Sequence, residues 1–122
     1  MIVGSIKEDL SIEKRVSITP ETAKNLINLG MSVCIEKDYG THIGIQDKDY
    51  KNVGSEIKNS SKDVLAHCAL LTKVNCPSND EILNLKSNTI LVGMLNSTKN
   101  QDKIKELLKK KINIFSLELL PR

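Results

Sequence analysis

The chain has 122 residues, 39% hydrophobic and 27% charged, the profile of one ordinary globular domain with a modest core. An aromatic fraction of 2% supplies no base-stacking platforms, and 18 basic against 15 acidic residues, net +3, give too weak a field for a nucleic-acid partner. No apolar run approaches the roughly 18 residues that cross a bilayer, nothing resembles a leader segment, and three cysteines without close spacing make neither a disulfide framework nor a zinc site. A cytoplasmic protein without direct membrane insertion is expected.

Taken in chain order, the first strand is expected at Ile2–Ile6, followed by a charged loop, Lys7–Ser17. Thr19 is a natural N-cap, Pro20 fits the first helical position and Glu21 suits the positive end of the dipole. Ala23, Leu26 and Ile27 form an apolar stripe, and Gly30 closes this helix, Pro20–Leu29, from the C′ position. A second strand is expected at Ser32–Glu36. Gly40-Thr41-His42-Ile43-Gly44 lacks the G-x-G-x-x-G spacing and reads as a loop needing permissive backbone. Short helices are expected at Asp47–Asn52 and Lys62–Ala66, a short strand at Ser55–Ile57, and a turn or two of helix at Asp80–Leu83. Longer apolar runs predict strands at Cys68–Val74 and Ile90–Met94, with Cys34 and Cys68 as buried thiols. A last helix, Gln101–Lys110, carries the stripe Ile104, Leu107, Leu108 and ends in Lys109-Lys110-Lys111, cations suited to its negative end. The final strand, Ile112–Leu117, is interrupted by Asn113 and Ser116 and belongs nearer an edge.

Nearly continuous apolar strands suit a parallel sheet covered on both faces. Strand and helix alternating throughout predict a three-layer, doubly wound α/β fold with a mostly parallel sheet, residues 1–122 forming a single lobe. Only two of the helices are well signed, so one face of the sheet is expected to expose apolar surface and to seek a partner.

Ligands of open α/β sheets bind outside the carboxyl ends of strands. Three polar groups fall there: Arg15 in the first loop, Lys73 near the end of the Cys68–Val74 run, and Asn96 after Ile90–Met94. An arginine can grip a carboxylate bidentately and a nearby lysine adds a point charge; equally, Arg15 can pair with Glu13 or Glu8 as a solvated loop residue. Lys73 is the harder to dismiss, because a strand tail is a poor place for an idle charge. Asn96 can orient a group but not shuttle a proton, and it also suits a plain turn. His42 and His67 have no partners at metal-ligand spacing, and no metal is expected.

The opening Ile2-Val3-Gly4-Ser5-Ile6-Lys7-Glu8, the stretch Glu13-Lys14-Arg15-Val16-Ser17-Ile18-Thr19-Pro20-Glu21, Thr72-Lys73-Val74 followed by Pro77-Ser78, and the tail Glu118-Leu119-Leu120-Pro121-Arg122 together resemble the amino-terminal lobe of the alanine dehydrogenase and proton-translocating transhydrogenase family. That resemblance covers the chain in order. It implies a flavodoxin-like or Rossmann-like lobe that works beside a separate Rossmann domain carrying the dinucleotide fingerprint, with a carboxyl-terminal segment returning to the first lobe; this sequence contains neither. It also implies that Arg15 and Lys73 face a keto acid or the nicotinamide, and that Arg122 opens a nicotinamide-embracing loop. Alanine dehydrogenases place a proton-transferring His where Asn96 stands here. Reductive amination needs such a donor, whereas hydride exchange between two nicotinamides does not. The resemblance therefore implies the NAD(H)-binding alpha subunit of NAD(P) transhydrogenase first. A substrate lobe of an alanine dehydrogenase-like enzyme, or a non-catalytic split or remnant gene product, remains as an alternative. NAD(H) is expected as cofactor of the complete enzyme, without tight binding to this chain alone. The implied partners are the rest of the alpha subunit, the beta subunit with its membrane domain, and further copies in a homo-oligomer, peripheral to the inner membrane.

Overall fold

The computed structural model describes residues 1–117. Its strands are β1 (Ile2–Ser5), β2 (Ser32–Glu36), β3 (Glu56–Lys58), β4 (Leu70–Thr72), β5 (Ile90–Gly93) and β6 (Asn113–Ser116). Its α-helices are α1 (Pro20–Asn28), α2 (Asp47–Asn52), α3 (Ser61–His67), α4 (Asn79–Asn84) and α5 (Gln101–Lys109), with one turn of 3₁₀ helix at Thr41–Ile43. All pairings are parallel and the sheet order is β3-β2-β1-β4-β5-β6. Of the two expected descriptions, this order is the Rossmann-like one. The winding reverses between β1 and β4, which opens a crevice at their carboxyl ends.

Local chemistry explains the helix ends. The Thr19 hydroxyl accepts from the Thr22 N–H at 3.1 Å. Gly30, at φ +95°, lets its own N–H and that of Met31 close back on Ile27 and Leu26. Helix α5 ends on the same pair of bonds, but Lys111 holds the left-handed position at φ +62°. The lysine run has a second use: Lys110 Nζ donates at 2.8 Å to the carbonyls of both Ile82 and Leu83, at the end of α4.

Most expected elements differ from the observed ones by a residue at one or both ends, and three of the differences have a local cause. The run Cys68–Val74 is not one strand: Cys68 caps α3, its N–H still bonded to Val64 O, and only Leu70–Thr72 is strand. Helix α3 begins at Ser61 behind a Ser60 cap. Helix α4 begins at Asn79 behind Ser78, whose reciprocal bonds with Glu81 form a capping box.

Side-chain alternation divides the core in two. Cys34, Leu71 and Leu91 pack with Val64, Leu65, Ile82 and Leu107 under α3, α4 and α5. Val3, Val33 and Ile35 pack with Ala23, Tyr39 and Tyr50 under α1 and α2. Cys34 and Cys68 are buried, as expected. The first face is roofed across the sheet. On the second face, among the described residues, the helices roof β1–β3 and reach Leu70 of β4, so the β5–β6 end stays open and Phe115 is 57% exposed. β6 forms an edge, in line with its interrupted sequence.

Candidate functional site

The loop between β1 and α1 forms one wall. Glu13 and Arg15 lie two apart in extended chain, so their side chains project to the same side. Arg15 Nε and Nη2 donate to Glu13 Oε2 and Oε1 at 2.8 and 2.9 Å, and the Arg15 backbone N–H donates to Oε2 at 3.0 Å. This fork lowers the Glu13 carboxyl to about 2 and raises the guanidinium. Arg15 itself remains 66% exposed, and its Nη1 takes no part in the fork.

Lys73 directly follows β4 and is 5% exposed, with Nζ 3.6 Å from Glu8 Oε1 and 3.4 Å from Glu81 Oε1. Glu8, itself buried, accepts from the backbone N–H groups of Val74 at 3.0 Å and Asn75 at 3.2 Å. Asn75 Nδ2 donates to Glu13 Oε1 at 3.2 Å. One continuous polar chain thus joins the Lys73 wall to the Arg15 wall, and each cation already has a carboxylate partner.

A cavity of about 380 Å³ lies between these walls, lined by Arg15, Val16, Ser17, Thr72, Lys73, Val74, Val92, Met94 and Leu117. Thr72 Oγ1 is buried with no hydrogen-bond partner among the described residues. A second cavity of about 330 Å³ reaches from Lys73 toward α4 and α5, between Glu8, Asp9, Glu81 and Lys103.

The structure therefore brings Arg15 and Lys73 onto one cavity. Asn96 is exposed and lines neither cavity; it sits at φ +47° in the turn after β5, its carbonyl accepting from the N–H groups of Lys99 and Asn100. Arg122 and the rest of the tail from Glu118 lie outside the described residues. Sequence reasoning missed the roles of Glu8, Glu81 and Asn75. The Ser78-x-x-Glu81 spacing signals the capping Glu81, while Glu8 meets Lys73 only through the sheet topology. His42 Nε2 bonds the Lys14 carbonyl at 2.8 Å. No group of three or more His, Cys, Asp or Glu among the described residues is arranged to hold a metal. No helix among them is long and apolar enough to cross a membrane.

The alpha subunit of the Haemophilus influenzae NAD(P) transhydrogenase is 31% identical over 122 residues, all of this chain and 23% of that protein. The alanine dehydrogenase of Methanococcus maripaludis is 33% identical over 97% of this chain and 32% of its own length. The crystal structure of transhydrogenase from Sinorhizobium meliloti superposes with a TM-score of 0.94 at 28% identity, covering 100% of this chain and 36% of that one. The chain thus spans a quarter to a third of these relatives. The family described as "Alanine dehydrogenase/PNT, N-terminal domain" matches residues 4–122, and with that match, the all-parallel sheet and the strand-end cavity between Arg15 and Lys73, the chain belongs to that family.

Proposed function

We propose that this chain is the amino-terminal lobe of an NAD(P) transhydrogenase alpha subunit. There it faces the nicotinamide of NAD(H) during hydride exchange with NADP(H), coupled in the full complex to proton translocation. The observation that carries this reading is the make-up of the cavity: among the described residues, Arg15 and Lys73 are its only titratable lining residues, and Asn96, in the turn after β5, stands outside it. The described lining includes no His, Asp or Glu to transfer a proton. Hydride exchange between two nicotinamides requires no proton donor beside the reacting carbon.

The lining suits a nicotinamide. Val16, Val92 and Met94 offer apolar surface to the ring, and the unpartnered Thr72 hydroxyl offers a hydrogen bond to its carboxamide. When bound, NAD(H) supplies the hydride. Arg15 and Lys73, each held in place by carboxylates, orient the group as hydrogen-bond donors. The open second face near Phe115 supports a partner segment and a Rossmann domain docking there, with the assembly peripheral to the inner membrane.

The test is reassembly with the remaining alpha-subunit portion and the beta subunit. NADH-dependent reduction of an NADP+ analogue is expected, with L-alanine ignored. The alanine dehydrogenase relative keeps a second reading in view: measurable alanine-dependent NAD+ reduction would reverse the assignment in favour of a keto-acid site at Arg15 and Lys73.

A further inference from the structure

Tyr39 follows β2 and is 1% exposed, yet its hydroxyl is engaged on three sides. It accepts from the backbone N–H groups of Ser17 at 2.9 Å and Ile18 at 3.2 Å, and it lies 2.7 Å from Ser5 Oγ. Ser5, fully buried at the end of β1, donates to the Thr72 carbonyl at 2.8 Å. The Ser5 proton being committed to Thr72, the short contact must be Tyr39 donating to Ser5. Burial pushes the Tyr39 phenol up, so that proton stays in place at any ordinary pH. Tyr50 supports the arrangement, packing edge-on to Tyr39 with ring centroids 5.7 Å apart and donating to the Ile18 carbonyl at 2.7 Å.

This relay gathers the three chain segments that meet where the sheet reverses: the end of β1, the end of β4, and the loop that carries Arg15. Ser17 and Thr72, which it ties together, both line the cavity, and Thr72 directly precedes Lys73. We propose that Tyr39, with Ser5, is a positioning residue whose hydroxyl relay sets the spacing between the Arg15 and Lys73 walls of the cavity. The inference rests on the reading of that cavity as the nicotinamide site. It makes Tyr39 a determinant of ligand fit without contact with the ligand, since Tyr39 does not line the cavity.

The test uses the isotopically labelled chain, amide hydrogen exchange, and titration with free nicotinamide at millimolar concentration. In Tyr39→Phe the packing ring remains but the Ser17 and Ile18 amides lose their acceptor. Their exchange should accelerate about tenfold beyond any change at Leu71 and Leu91, and nicotinamide should bind about fivefold more weakly. Ser5→Ala keeps both amides bonded to Tyr39 but cuts the tie to Thr72, so it should weaken nicotinamide while leaving Ser17 and Ile18 exchange near wild type. Ile112→Val, a small core truncation in the other cluster, should leave both readouts where they are. Unchanged Ser17 and Ile18 exchange in Tyr39→Phe overturns the proposal, as does equal nicotinamide affinity in Tyr39→Phe and Ile112→Val. If the wild-type chain shows no nicotinamide shifts, the ligand reading of the cavity fails, and the exchange data alone decide whether Tyr39 holds the wall.

Discussion

Replacing Gly93 by alanine should disturb the site through the backbone. A Cβ at Gly93 would collide with the Lys73 carbonyl oxygen and come within 3.3 Å of Leu95 Cδ2. The backbone obstacle cannot yield cheaply. The Lys73 backbone is pinned by its N–H to Val92 O at 3.0 Å, and the next step of the ladder by Met94 N–H to Val74 O at 2.9 Å. Overpacking against fixed backbone costs about 1–3 kcal/mol and sometimes more. For a domain of this length each kcal/mol lowers Tm by about 3–6 °C. A Tm drop of about 3–18 °C is therefore expected on thermal melting followed by circular dichroism. Because relief must move the β4 end away from β5, Val74 and Asn75 should also lose amide protection as their bonds to Glu8 stretch. A variant within about 0.5 kcal/mol of wild type, the range of ordinary surface changes, would refute the close-approach reasoning.

Two further outcomes are expected. Glu13, held at about 2 against an ordinary 4.5, contributes stability that is complete above about pH 4.5 and is lost as pH falls toward 2. Arg15 is largely exposed, so solvent screening limits that contribution to about 1 kcal/mol; urea melts should show the wild-type advantage over Arg15→Ala shrinking across that window, and a constant advantage would count against the fork. Lys111→Gly relieves a left-handed non-glycine residue at the end of α5 and should stabilise the chain by about 0.5–1 kcal/mol, read as a higher urea midpoint at unchanged slope.

What could be read from the sequence was whatever is encoded locally. The cap, proline, stripe and glycine of α1 lie within twelve residues, each acting on its near neighbours, and the helix falls where they place it. The apolar run at Cys68–Val74 shows the opposite case. Hydrophobicity reports burial there but not which backbone bond the buried residue makes, and Cys68 is still bonded back into α3. In the site, the strand-end rule brings Arg15 and Lys73 to the same crevice because it depends only on element order. The partners of Lys73 depend on the fold itself: Glu8 lies far away in sequence and meets it only because β1 and β4 are neighbours. Tyr39 had no signal as a polar residue at all, since an isolated tyrosine after a strand reads as core.

The unequal roofing of the sheet bears on why the cavity sits where it does. Register places Leu70 and Thr72 of β4 beside Ile90 and Val92 of β5, and these beside Asn113 and Phe115 of β6, all on the second face. Helices α1 and α2 reach Leu70 but not the rest of this strip, so among the described residues its strand ends are bounded on one side by the Arg15–Ser17 loop and on the other by open surface at Phe115 and Leu117. A crevice at the reversal of winding is common to doubly wound sheets; here it continues into a strip that none of the described helices covers at β5 and β6. A flat ring could enter from that side and meet the Thr72 hydroxyl with the two cations beside it. Such an entrance excludes water only when something covers the strip. On the proposed reading, the same exposed surface is what would let a docking partner close the site, and ligand affinity is then expected to depend on assembly.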